Sequence, residues 1–175
     1  MNTKSSHKMI YHEVQYFRQR WVLLLVLTAA GLAWYSFILQ IFLGQPFGNN
    51  PAPDWALWMI WILIGIGLPF LFYISKLIID VNGEFIYIRL IPFTKKKIAF
   101  NGIVHAKARK YNPIREFGGW GVRWGFGNKR AYNISGDQGV ELELINGHKI
   151  MIGSQRSEEL YSVITRFLVK TDLLH

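Results

Sequence analysis

The stretch "REFGGWGVRWGFGNKR" has residue types that could hold a phosphate. Five glycines fall between Gly118 and Gly127, interleaved with four large aromatics from Phe117 to Phe126, and basic residues follow. A phosphate loop needs glycines at fixed offsets from a lysine, so that backbone N–H groups can surround the oxygens. Neither G-x-x-x-x-G-K-[ST] nor G-x-G-x-x-G is met, because Trp124 or Arg130 holds a required position. A nucleotide-binding loop is excluded.

Other chemistry is equally sparse. There are no cysteines, which excludes disulfides, thiolate metal sites and thiol nucleophiles. His7, His12, His105, His148 and His175 are scattered without metal-ligand spacing, and His105 falls on a polar strand face. No Gly-x-Ser-x-Gly elbow activates a serine. Glu141 and Glu143 alternate on one strand face, as a catalytic carboxylate pair would, but pairing across strands with Lys149 accounts for them. No catalytic residue, cofactor or metal is expected, and the chain does not read as an enzyme.

What remains is a basic and aromatic set suited to contact rather than catalysis. Arg115, Trp120, Arg123, Trp124, Phe126, Lys129 and Arg130 are candidate contacts for a membrane or a partner. The tryptophans either pack on the domain or reach lipid headgroups.

The elements that position this set begin with two apolar runs. Trp21 to Leu43 and Trp55 to Ser75 contain no Lys, Arg, Asp or Glu. At ~1.5 Å per residue each is long enough for a hydrocarbon core of ~30 Å. Both start with tryptophan and Tyr73 lies near the end of the second, where interfacial aromatics belong. The first run is too long for the core of a cleavable signal peptide, and a second run follows it. Gly65, Gly67 and Pro69 are expected to bend or loosen the second helix, with the first helix satisfying the freed backbone.

Charge sets an orientation. Lys4, Lys8, Arg18 and Arg20 precede the first run, the connection 44–54 has no Lys or Arg, and sixteen follow from Lys76 onward. The positive-inside rule then places both termini in the cytoplasm and the loop outside. In that compartment the sequon Asn133-Ile134-Ser135 meets no glycosylation machinery. The N-terminal segment 1–20 reads as a short amphipathic surface helix or as a solvated stub of the first span.

Residues 76–175 read as one β-rich cytoplasmic domain. "KLIIDV" passes through Asn82-Gly83 into "EFIYIRLI" as a hairpin. In Ile103 to Tyr111, alternation points Val104, Ala106 and Ala108 one way, and His105, Lys107 and Arg109 the other. Parity decides the turn after "GVELELI". A three-residue loop, Ile145-Asn146-Gly147, pairs Leu142 with Ile150 and Glu143 with Lys149, whereas a two-residue loop would mix the faces. Leu160, Val163, Ile164, Phe167 and Leu168 then form a helical stripe, with Ser154 and Ser157 as candidate caps.

The motifs "GGWG", "RAYN", "GVELEL" and "IGSQR…EEL", in this order, resemble bacterial membrane proteins with a pleckstrin-homology-like domain behind a transmembrane hairpin. The likeness covers roughly Trp21 to Lys170 and departs at Ser157, where a helix-starting proline is expected. It implies an α+β membrane protein of the bacterial inner membrane. The spans 21–43 and 55–75 would flank the loop 44–54, and domain 76–175 would be a strongly bent, seven-stranded antiparallel barrel capped by a C-terminal helix.

The domain carries sixteen Lys and Arg against nine Asp and Glu. Close to an anionic leaflet each such charge contributes about 1 kcal/mol. The expected function is non-enzymatic binding of inner-leaflet lipid, through its anionic headgroups, or of a protein partner. The alternative is an accessory subunit of a membrane complex, assembled through Ala29, Ala30, Gly31, Ala33, Gly65 and Gly67. No nucleic acid is expected.

Overall fold

A computed structural model describes residues 9–17, 19–125 and 127–172. The chain divides into two compact units, Phe17–Ser75 and a second made of Met1–Tyr16 with Lys76–His175.

The first unit holds helices α1 (Arg20–Phe42) and α2 (Asp54–Ile74), both long and apolar enough to cross a membrane. Only 28% and 11% of their most apolar stretches are buried, so most of their surface lacks a protein neighbour. The buried stripe of α1 is Val26, Ala30, Ala33, Ser36 and Phe37. Phe37 stacks on Trp61 at 4.5 Å between ring centroids. Ahead of Pro69 the turns of α2 widen over Trp61–Gly67, and Leu68 N–H bonds back to Leu63 O. Proline lacks an N–H, so the Gly65 carbonyl loses its ordinary helical donor. The Trp34 indole N–H of α1 supplies one at 3.2 Å, as the glycine and proline positions led us to expect.

The second unit contains a four-stranded sheet in the order β1-β2-β3-β4: Tyr11–Tyr16, Lys76–Val81, Phe85–Ile91 and Thr94–Ala99. Its N-terminal strand corrects both expectations for this segment, the surface helix and the solvated stub. Tyr11, Glu13 and Gln15 are buried while His12, Val14 and Tyr16 point out, a period of two. Strand β1 pairs antiparallel with β2 from Tyr11↔Val81 to Tyr16↔Lys76. Strands β2 and β3 form the expected hairpin, closed by Asn82, whose side chain accepts from the N–H groups of Glu84 and Phe85.

The other sheet has five strands, β5 (Ile103–Lys110), β6 (Gly121–Gly125), β7 (Lys129–Asn133), β8 (Gln138–Leu144) and β9 (Lys149–Gly153). Their spatial order is β5-β8-β9-β7-β6, and β7 runs parallel to β9. Two open sheets with one parallel pair thus replace the expected single antiparallel barrel; among the described residues no ladder joins them. The β8–β9 turn matches the parity argument. Leu142 opposes Ile150, Glu143 opposes Lys149, and Gly147 takes φ +76°. One expectation fails in β5. The register shifts between Ile103 and His105, so Val104 is the extra residue of a bulge and points outward, while Ile103 turns in.

A short helix, α3 (Pro113–Phe117), and the C-terminal α4 (Ser157–Asp172) complete the unit. Leu160 and Ile164 of α4 are fully buried, and the helix packs on β5, β8 and the 3-10 turn Phe100–Gly102 between the sheets. Glu158 and Glu159 occupy its first turn, where the helix dipole favours them.

Candidate functional site

The glycine-rich stretch is a built structure rather than a loose excursion. Asn112 starts α3 by accepting from Arg115 N–H at 3.0 Å, and Glu116 returns a bond from the Asn112 N–H at 2.8 Å. Gly118, at φ +72°, ends it in the left-handed conformation. The chain then turns into the β6–β7 hairpin at the sheet edge. Gly125 packs closely, since a Cβ there would lie 3.0 Å from the Phe117 ring and would push that ring aside.

Strand parity divides the predicted contact residues between two faces. Arg123 opposes Ala131 and Gly125 opposes Lys129, which puts Arg123 and Lys129 on the face covered by α3. Beneath α3, Tyr111, Phe117, Ala131 and Met151 form a small apolar cluster. Burial pushes the Tyr111 phenol up to about 12, while its bond from Asn133 Nδ2, at 3.0 Å, opposes the rise. Asn133 is itself fully buried, so the sequon is inaccessible in the folded domain.

Trp124 and Arg130 oppose each other on the other face, beside Ile150 and Leu142. The Arg130 guanidinium lies 4.3 Å from the centre of the Trp124 ring, a cation–π stack. Trp124 is 73% exposed, whereas Trp120 is half-buried and donates its indole N–H to Gly136 O at 3.1 Å. One tryptophan is therefore architectural and the other open to a partner. Arg123 donates to the Trp120 carbonyl at 2.8 Å. Arg115 is exposed on α3, apart from the stack, and Phe126 lies outside the described residues.

The carboxylate pair separates into two ion pairs. Glu143 meets Lys149 at 3.5 Å, as cross-strand pairing requires. Glu141 meets Arg109 at 2.7 Å, and Arg109 reaches Glu116 at 2.8 Å. Both carboxylates are thus committed to cations. Histidine 105 is exposed. Among the described residues no three His, Asp or Glu side chains could hold a metal.

Beside the Trp124–Arg130 stack opens a cavity of about 340 Å³ whose lining the sequence reading did not assemble. Lys96 reaches it from β4, opposite fully buried Ile88, and so stands on the apolar face of the four-stranded sheet. Tyr132, two residues beyond Arg130, also lines it and is fully buried. The signal was present in the alternation: Lys96 shares the face of buried Ile98 in "TKKKIA", and Arg130 shares the face of buried Tyr132 in "KRAYN".

Two apolar helices joined to a basic two-sheet α+β domain define the class of protein. Residues 2–170 match the family of unknown function DUF6141, so the chain belongs to that family. No curated protein matches it.

Proposed function

We propose that this is a non-enzymatic integral membrane protein. Its helical hairpin would anchor a pleckstrin-homology-like domain at the cytoplasmic face of a bacterial inner membrane, where the domain binds anionic lipid or a protein partner. The observation that carries this reading is the low burial of two 18-residue apolar windows, 28% and 11%, because core helices of a soluble protein would be mostly covered. The absence of Lys and Arg from 44–54, against sixteen after Ser75, supports the orientation. Two sheets with a C-terminal helix packed against them support the domain assignment. The exposed Trp124, stacked on Arg130, suits an anionic, partly apolar surface.

Assembly through the hairpin is less well supported. Ala30, Ala33 and Gly65 are already buried in the packing of α1 and α2.

The chain has no cysteine, so single cysteines report topology directly. Asn49→Cys should react with a membrane-impermeant maleimide in intact cells, and Lys107→Cys only after permeabilisation. Labelling of both, or of Lys107→Cys alone, in intact cells would overturn the orientation. Binding is tested by pull-down from native membranes with the full chain. Residues 76–175 alone would lack β1.

A further inference from the structure

The cavity beside Arg130 combines positive charge, unmet hydrogen bonding and an aromatic wall. Lys96, Lys129, Arg130 and Lys149 line it, and among the described residues no Asp or Glu does. Lys129 and Lys149 stand on the opposite face of their sheet, where Lys149 is occupied by Glu143. Lys96 and Arg130 have no carboxylate partner among the described residues, although strand parity turns both toward the apolar side of their sheets. For the half-buried Arg130 such placement is costly without a counter-charge.

Two atoms make the deficit explicit. Arg130 Nε and the Tyr132 hydroxyl are both buried, and neither has a hydrogen-bond partner among the described residues. Tyr132 has no exposed surface and closes the wall, so the half-buried Arg130 guanidinium is the group that meets a ligand. A guanidinium without a carboxylate partner is costly to bury, and a bound oxyanion would supply the counter-charge. The Trp124 ring holds the guanidinium from one side, which fixes its plane. A volume of about 340 Å³ lies at the small end of ligand pockets and accommodates a phosphorylated group rather than a chain.

We infer that this cavity is a binding site for a phosphate monoester, with Lys96 and Arg130 neutralising its charge. Lysine acts as a point charge from β4, and arginine offers a fixed fork from β7. The site deepens the lipid-binding reading, on which only the source of the phosphate depends: a lipid headgroup or a soluble metabolite presents the same dianion.

The test uses the full chain in phosphatidylcholine nanodiscs, titrated calorimetrically with inorganic phosphate and with glycerol 3-phosphate. A parallel arm measures retention of phosphatidic acid by native mass spectrometry. Saturable binding of either soluble probe, or selective retention of phosphatidic acid, is expected, and Lys96→Gln and Arg130→Gln should each weaken it about tenfold. Lys96 is exposed on an edge strand, so its variant retains the fold even where Arg130→Gln loses stability. Saturation by the soluble probes identifies a solute site, and retention of phosphatidic acid alone identifies a headgroup site. No saturable binding in either arm, or binding unchanged in Lys96→Gln, would overturn the inference. Either result leaves the cysteine-labelling test of topology unaffected, so the two readings fail separately.

Discussion

Glu13 Oε2 receives a hydrogen bond of 2.6 Å from Ser154 Oγ, across 141 positions of sequence. The same carboxyl accepts from Tyr11 Oη at 2.5 Å and from the Gln155 N–H at 2.9 Å. Gln15 donates to Gly153 O at 2.8 Å, and Arg156 donates to His12 O at 2.6 Å. The strand before α1 is thereby fastened to the end of β9 and the start of α4. Because β1 also pairs with β2, the chain segments entering and leaving the helical hairpin belong to one folded unit.

Replacing Glu13 by alanine leaves three donors without their acceptor. Buried donors stranded in this way cost ~1–3 kcal/mol each, so Glu13→Ala should destabilise the domain by at least about 3 kcal/mol. Glu13→Gln keeps an oxygen acceptor and should cost about 1 kcal/mol. Denaturant unfolding of the detergent-solubilised chain reads both. Equal stability of Glu13→Ala and wild type would show that β1 is not held by this carboxyl.

That network also explains why β1 was hidden from the sequence. The usual pattern is inverted: Glu13 and Gln15 are inside while Val14 and Tyr16 are outside, so hydrophobic periodicity left only a surface helix or a solvated stub to choose between. Its partners lie beyond both apolar helices. Where local chemistry was complete, the sequence was legible. Turn parity at Ile145-Asn146-Gly147 gave the β8–β9 register, and Pro69 with Gly65 pointed to a backbone donor from α1. The Val104 bulge left no composition signal, and it flipped one residue. The candidate contact set was half legible. Trp124 and Arg130 do meet, but their cavity needs Lys96 from another sheet, a pairing that only the fold can make.

The Trp34–Gly65 bond should be worth about 1 kcal/mol, typical of interhelical hydrogen bonds in a membrane setting. Trp34→Phe removes the donor while retaining an aromatic ring. Pro69→Ala restores an N–H that can serve the same carbonyl, so the cost of Trp34→Phe should shrink in that background. A double-mutant cycle on thermal unfolding in detergent measures the coupling. Strict additivity would mean that the indole does not compensate for the proline.

Arg109 holds Glu116 and Glu141 together at the base of α3. Its guanidinium, helped by the Asn112 N–H, keeps the Glu116 carboxyl below the usual carboxylate range, against the effect of burial. A carboxyl depressed in the folded state is more readily protonated when unfolded. Its contribution to stability is therefore present above the unfolded value of ~4.3 and is lost as pH falls through the folded value. Partial exposure keeps the effect small. Unfolding followed from pH 6 downward should show a shallower acid slope in Glu116→Gln than in wild type, by a fraction of one linked proton. Identical slopes would remove Glu116 from the linkage.

Three buried phenols set the alkaline limit. Burial is the main cause that raises Tyr11, Tyr111 and Tyr132 above the ordinary value, with Tyr111 reaching about 12. A phenol is neutral when protonated, and the unfolded chain releases its proton first, near ~10. The stabilising contribution is thus full below that value and is lost as pH rises toward 12. Followed by phenolate absorbance, these three phenols should ionise only as the domain opens. Tyr111→Phe should reduce the absorbance that appears together with unfolding. It also removes the acceptor for Asn133, at a cost of about 1 kcal/mol. Equal absorbance changes on unfolding in Tyr111→Phe and wild type would mean that α3 does not shield Tyr111 in solution.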